Sequence, residues 1–142
     1  MKVWVHFVFS LLISGILFQW FGWKVIFVLA GGVLIDIDHY LWYVYKYKKL
    51  SVYGAYKSYL DGLERMDFMA NIGILLIFHT IEFLIVMVGL SFYSTIFLLF
   101  TIGLLSHYIL DFIFLYFIAK KVIANHSIIL WVKINLISTK FK

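Results

Sequence analysis

The stretch GGVLIDIDHY, residues 31–40, decides how this chain is to be read. Asp36, Asp38 and His39 follow closely on one another in a run whose other side chains suit lipid. An ionisable side chain at the centre of a bilayer costs roughly a few kcal/mol or more, so such residues usually face a bundle interior and one another. The surrounding chain supplies the lipid-like context. It has 142 residues, 65% of them hydrophobic and 13% charged, with a mean hydropathy of +1.03. That composition excludes disorder and argues against a soluble globular domain. Cysteine is absent, so disulfides and thiolate metal ligands are excluded. Proline is absent too, so no helix carries a proline kink.

Working outward, four apolar runs stand out, at about residues 3–21, 23–45, 68–90 and 95–119. Each is long enough for a hydrocarbon core ~30 Å thick at 1.5 Å per residue. The first continues into Trp20, Phe21 and Trp23 without a small-residue cleavage site, so it reads as a membrane span and not a signal peptide. The short turns FGWK, with Gly22, and SFYS, residues 91–94, predict two antiparallel hairpins. The fold class is therefore an all-α, four-helix transmembrane bundle forming a single integral membrane domain over residues 1–142. Residues 46–67, basic and rich in tyrosine, suit an amphipathic helix at the membrane surface, and anionic lipid headgroups are a second reading of that segment. In the tail, residues 120–142, the patch IILWVKINLI is interrupted by Lys133 and too short to span, so it reads as an interfacial helix.

The net charge of +5 is spread over short clusters between apolar runs, a pattern of topology signals and not of nucleic-acid binding. With a cytoplasmic N-terminus, every lysine and arginine except Lys24 falls on the cytoplasmic side. Trp20, Trp23 and Trp42 sit near span ends, as an aromatic belt does. The expected location is the inner or plasma membrane, multi-pass, with lipid as the first partner.

The ionisable groups inside the runs are His6; Asp36, Asp38 and His39; His79 and Glu82; and His107 and Asp111. Asp36 and His39, like His79 and Glu82, are spaced i, i+3; His107 and Asp111 are spaced i, i+4. On a helix each pair shares one face. Asp38 falls roughly half a turn away from the Asp36/His39 face. With the topology above, most of these groups lie between ~6 and ~18 Å from the cytoplasmic side, so one cluster in the inner half of the bundle accommodates nearly all of them. Imidazole and carboxylate suit zinc, manganese or iron, and facing helices build metal sites from such pairs. No lysine or arginine lies among these carboxylates, so histidine or a cation must offset them. The expectation is about one to three divalent ions, zinc foremost.

The motifs resemble a known family. GGVLIDIDHY resembles the G-x-L-x-P-D-I-D-H signature of the membrane-bound metal-dependent hydrolases, a family that includes LexA-regulated bacterial inner-membrane proteins; Ile35 stands where that signature has proline. GLLSHYILDF, residues 103–112, is similar to the family's G-x-x-S-H-x-x-x-D signature, and HFVF, residues 6–9, to its N-terminal histidine segment. FHTIEF, residues 78–83, takes the place of its H-R-G-x-T-H-S motif. The family pattern is similar in turn to zinc-dependent phospholipase C. By that resemblance the metal ligands are His6, Asp36, His39, His107 and Asp111, with His79 by looser analogy, and the substrate class is a phospholipid or similar phosphodiester.

Three functions fit these residues. One is a metal-dependent hydrolase, in which metal activates water and an unligated carboxylate, Asp38 or Glu82, serves as general base. Another is a proton or metal-ion transporter, since intramembrane His and Asp chains mark ion pathways. The third is a non-enzymatic small membrane protein that uses the cluster for stability or assembly. His126, in the tail, carries no expected role. The distribution of basic residues predicts that a reporter fused to the C-terminus is active in the cytoplasm; activity only on the outer side overturns that topology.

Overall fold

The computed structural model describes residues 2–65, 75–118, 127–129 and 131–133. Among these residues the chain is helical, with no strand. The helices are α1 (Val3–Phe21), α2 (Ile26–Val33), α3 (Ile37–Tyr47), α4 (Val52–Arg65), α5 (Ile81–Ser91) and α6 (Thr95–Ile113). Two helical stretches are long and apolar enough to cross a membrane, Val3–Tyr47 and Thr95–Ile113. The chain divides into two compact units, Met1–Ile35 with Ile81–Val122, and Asp36–Thr80 with Ile123–Lys142.

In the first unit, α1 stops at Gly22, whose φ of 53° is a left-handed value that glycine adopts without a Cβ penalty. A 3-10 turn, Gly22–Val25, then returns the chain. Ser14 Oγ donates to the Val25 carbonyl at 3.2 Å, and Ser10 lies against Gly32. The order of these contacts makes α1 and α2 antiparallel, the first expected hairpin. The second forms as well. Ser94 caps α6 by accepting from Ile96 N at 3.3 Å, and Thr101 Oγ1 donates to the Met87 carbonyl on α5 at 3.0 Å.

α1 is inverted relative to a helix in water. Its buried residues are His6, Ser10 and Ser14, one face at i, i+4, i+8, while Trp4, Leu12, Ile16 and Trp20 are exposed. Small residues inside and large apolar ones outside are the pattern of a helix solvated by lipid. The same economy brings α2 and α6 together. A Cβ on Gly31 would fall on the Phe100 carbonyl oxygen, and one on Gly103 on the Val28 carbonyl oxygen. The two backbones therefore touch, and only glycine permits it. Val28, Leu99 and Leu104 close the core around this crossing.

The second apolar run is helical but not uniform, because a 3-10 turn at Leu34–Asp36 separates α2 from α3. This interruption occurs without the proline of the family signature, at the point where the sequence turns from apolar to acidic. α3 ends at Lys48 in the left-handed conformation (φ 54°). In the second unit, the basic connection folds as α4, capped by Ser51 Oγ accepting from Gly54 N at 3.0 Å.

The third run corrects the expectation of one helix over residues 68–90. Its residues 68–74 lie outside the described chain. Beyond them come a 3-10 turn, Ile77–His79, and an extended Thr80 (φ −93°, ψ 149°) before α5 begins. Helix α5 has 11 residues, about 16 Å at 1.5 Å per residue, too short to span alone. Side chains hold the break: Phe78 N donates to Asp38 Oδ2 at 3.2 Å, and Thr80 Oγ1 to the Ile77 carbonyl at 2.8 Å. Of the tail patch, Trp131 N donates to the Ser127 carbonyl, one helical turn; half of the patch, and His126, lie outside the described residues.

The backbone contact at the α2–α6 crossing predicts a sharp contrast between glycines. Gly31→Ala and Gly103→Ala should each lower stability by roughly 1–3 kcal/mol, because a carbonyl in a helix cannot step aside. Gly15→Ala, on an open face of α1 with nothing near its Cβ position, should raise it by about 0.5–1 kcal/mol. Unfolding curves in detergent, followed by circular dichroism, measure both.

Candidate metal centre

Within the first unit, α1 supplies His6 and α6 supplies His107 and Asp111. Two nearly parallel imidazoles stack, with centroids 3.8 Å apart and planes at 15°. His6 Nε2 lies 3.3 Å from Asp111 Oδ1, and His107 Nε2 lies 3.2 Å from Asp111 Oδ2. One carboxylate thus faces both rings, and a ligand atom from each of the three residues lies within 4.8 Å of the others. Both histidines are fully buried.

The other edge of His107 fixes its chemistry. Nδ1 is 2.9 Å from the Gly32 carbonyl oxygen. A carbonyl only accepts, so Nδ1 carries the proton and donates. In the neutral ring, Nε2 then presents a lone pair to an oxygen that also presents lone pairs. The arrangement needs a cation between them, a second ring proton or a metal ion. A histidine that donates one nitrogen to a backbone carbonyl and leaves the other free is how proteins orient a metal ligand.

Within the second unit a second group forms around His79. Its Nδ1 is 3.0 Å from Asp38 Oδ2, and its Nε2 is 3.5 Å from Asp36 Oδ1. His39 Nε2 lies 3.7 Å from the same Asp36 oxygen, so the i, i+3 pair shares a face as its spacing predicts. Asp38, His39 and His79 also place ligand atoms within 4.8 Å of one another. The His39 ring lies 5.1 Å from that of His79 and 5.1 Å from that of Tyr59 on α4. Asp38 is buried, and its Oδ1 has no hydrogen-bond partner. A bare carboxylate oxygen in such a place is costly unless a cation or a donor meets it.

The donor sets fit a divalent metal on chemistry alone: imidazoles and carboxylates, and orphaned buried atoms at His6 Nδ1 and Asp38 Oδ1. No protein-family model, curated protein or solved structure matches the chain. The geometry therefore stands as its own argument.

Of the residues expected from the sequence, His6, His107 and Asp111 come together, as do Asp36, Asp38, His39 and His79. The His79/Glu82 pair is not a claw on one helical face, because extended Thr80 interrupts the helix between them. Glu82, half-buried in the first turn of α5, belongs to no such group among the described residues. Two contributors escape a reading based on side-chain type: the Gly32 carbonyl and the Phe78 amide. Adjacent Gly31 and Gly32 inside an apolar run are the one signal that a close backbone approach lies there.

Because Asp111 faces both histidines, the three should act as a unit. His107→Ala and Asp111→Ala should each remove most of the metal bound at this group, and the double variant should lose little more. Metal titration of the three purified variants checks this; additive losses would mean that the two side chains act separately.

Proposed function

We propose that the chain is a multi-pass membrane hydrolase that uses divalent metal, zinc foremost, held by His6, His107 and Asp111 and by Asp36, His39 and His79, with Asp38 as general base, against a phosphodiester of a lipid. The four-helix transmembrane arrangement with both termini cytoplasmic belongs to the same proposal. The observation that carries it is His107, whose Nδ1 is committed to the Gly32 carbonyl while Nε2 is turned on a carboxylate. Bound metal would lower the pKa of water toward ~7 and polarise a phosphoryl oxygen.

The chain's own residues supply the rest. Asp38 Oδ2 is occupied by Phe78 N and His79, and Oδ1 remains open as a general base for the attacking water. His39, the most exposed histidine of its group, lies beside Tyr59 where a substrate headgroup can approach. The apolar exterior of α1 and α6 keeps the acyl chains of a lipid substrate in their usual solvent. Lipid as substrate class rests on this location and on the motif resemblance.

A specific observation favours a second, non-catalytic reading. Both nitrogens of His79 face carboxylates, so an imidazolium clamped between Asp36 and Asp38 would hold the fold without metal. Elemental analysis separates the two. Protein purified without chelator should carry at least about one zinc per chain, and absence of any transition metal would leave the imidazolium reading. With metal bound, Asp38→Asn should retain zinc and lower hydrolysis of a short-chain phospholipid by roughly 10²-fold or more, the scale of a lost general base.

A further inference from the structure

Ser10 is the one buried hydroxyl of α1 with nothing to do. The residue is 1% exposed and its Oγ has no hydrogen-bond partner. One turn before it, His6 Nδ1 is equally buried and equally bare. Ser14, the next residue on the same face, spends its hydroxyl on the Val25 carbonyl, so the polar face is not idle as a rule. The two rings at Asp111 stack almost parallel and turn Nε2 to the same carboxylate, which directs both Nδ1 atoms away from it. On that side His107 meets the Gly32 carbonyl. Ser10 Oγ lies against the same Gly32, in the space a Cβ there would fill.

We infer that Ser10 is the positioning residue for His6: its hydroxyl bonds Nδ1, directly or through one water, and so holds Nε2 toward Asp111. Two buried orphans at i, i+4 lie about 5–6 Å apart at Cβ, within reach of one χ1 rotation or one bridging water. Each orphan is otherwise a buried polar atom whose lost hydration nothing replaces. The inference rests on the metal reading only for its consequence, not for the Ser10–His6 link. A hydroxyl or a water differs from a carbonyl in that it both donates and accepts. His6 is thereby held in place whichever nitrogen carries its proton, where His107 is locked into one form.

The test uses the full chain in detergent, with Ser10→Ala beside Ser14→Ala, which removes a neighbouring hydroxyl of the same face. In metal-free protein, the side-chain ¹⁵N spectrum of His6 should show a hydrogen-bonded Nδ1 that shifts toward the unbonded position in Ser10→Ala and stays put in Ser14→Ala. Zinc affinity, by competition with a chelating dye, should fall about 10- to 100-fold in Ser10→Ala alone, the usual effect of losing a ligand's supporting hydrogen bond. An unchanged His6 signal in Ser10→Ala, or an equal effect of both variants, overturns the inference. If the parent chain binds no zinc, the metal reading fails while the metal-free spectrum still decides the role of Ser10.

Discussion

The contact between the backbones of α2 and α6 is the constraint on which the first unit depends. Gly31 and Gly103 let each helix rest on a carbonyl of the other. For a helix in lipid, this kind of contact would have to do what water exclusion does elsewhere, because hydrocarbon around a helix is no less apolar than a leucine-rich interface. It also sets the chemistry. Only at this separation does the Gly32 carbonyl reach His107 Nδ1, and that bond determines which edge of the ring faces Asp111. Packing and the orientation of the His107 ring are therefore one event.

Polar side chains are buried beside the apolar core among the described residues. His6, Ser10, Ser14, Thr101 and His107 are buried, and each of these but Ser10 has a hydrogen bond or ion pair from its side chain to a main-chain carbonyl or a carboxylate. Groups that lipid would penalise are gathered inside, where their partners are. The break at Ile77–Thr80 obeys the same rule: non-helical backbone is tolerable in an apolar setting when its amides and carbonyls are met by protein, as Phe78 N is by Asp38.

Much of this was legible in the sequence, and the limits have physical causes. Gly22 and the Ser91–Ser94 turn announced the hairpins because turn chemistry is local. The i, i+4 spacing of His107 and Asp111, and the i, i+3 spacing of Asp36 and His39, announced shared faces because helices are periodic. The break before α5 was not legible, since Ile77 and Phe78 before it and Ile81 after it belong to one apolar run and hydropathy does not register a dihedral angle. Nor was the pairing of His6 with Asp111, which joins residues from opposite ends of the chain. Asp38, expected off the Asp36/His39 face, is buried and lies with His39 and His79, and its partner His79 lies in the segment whose helical reading failed.

The partner of His107 is a peptide carbonyl, and a carbonyl has no side chain to exchange. The orientation of that ring is encoded in the approach of two helices and not in the identity of a neighbour. If α1 and α6 lie in lipid, most of the surrounding letters are then interchangeable: any apolar residue would serve on their outer faces. What must be kept is a handful of glycines, histidines and aspartates. A centre specified by so few symbols can persist while the text around it is almost wholly rewritten.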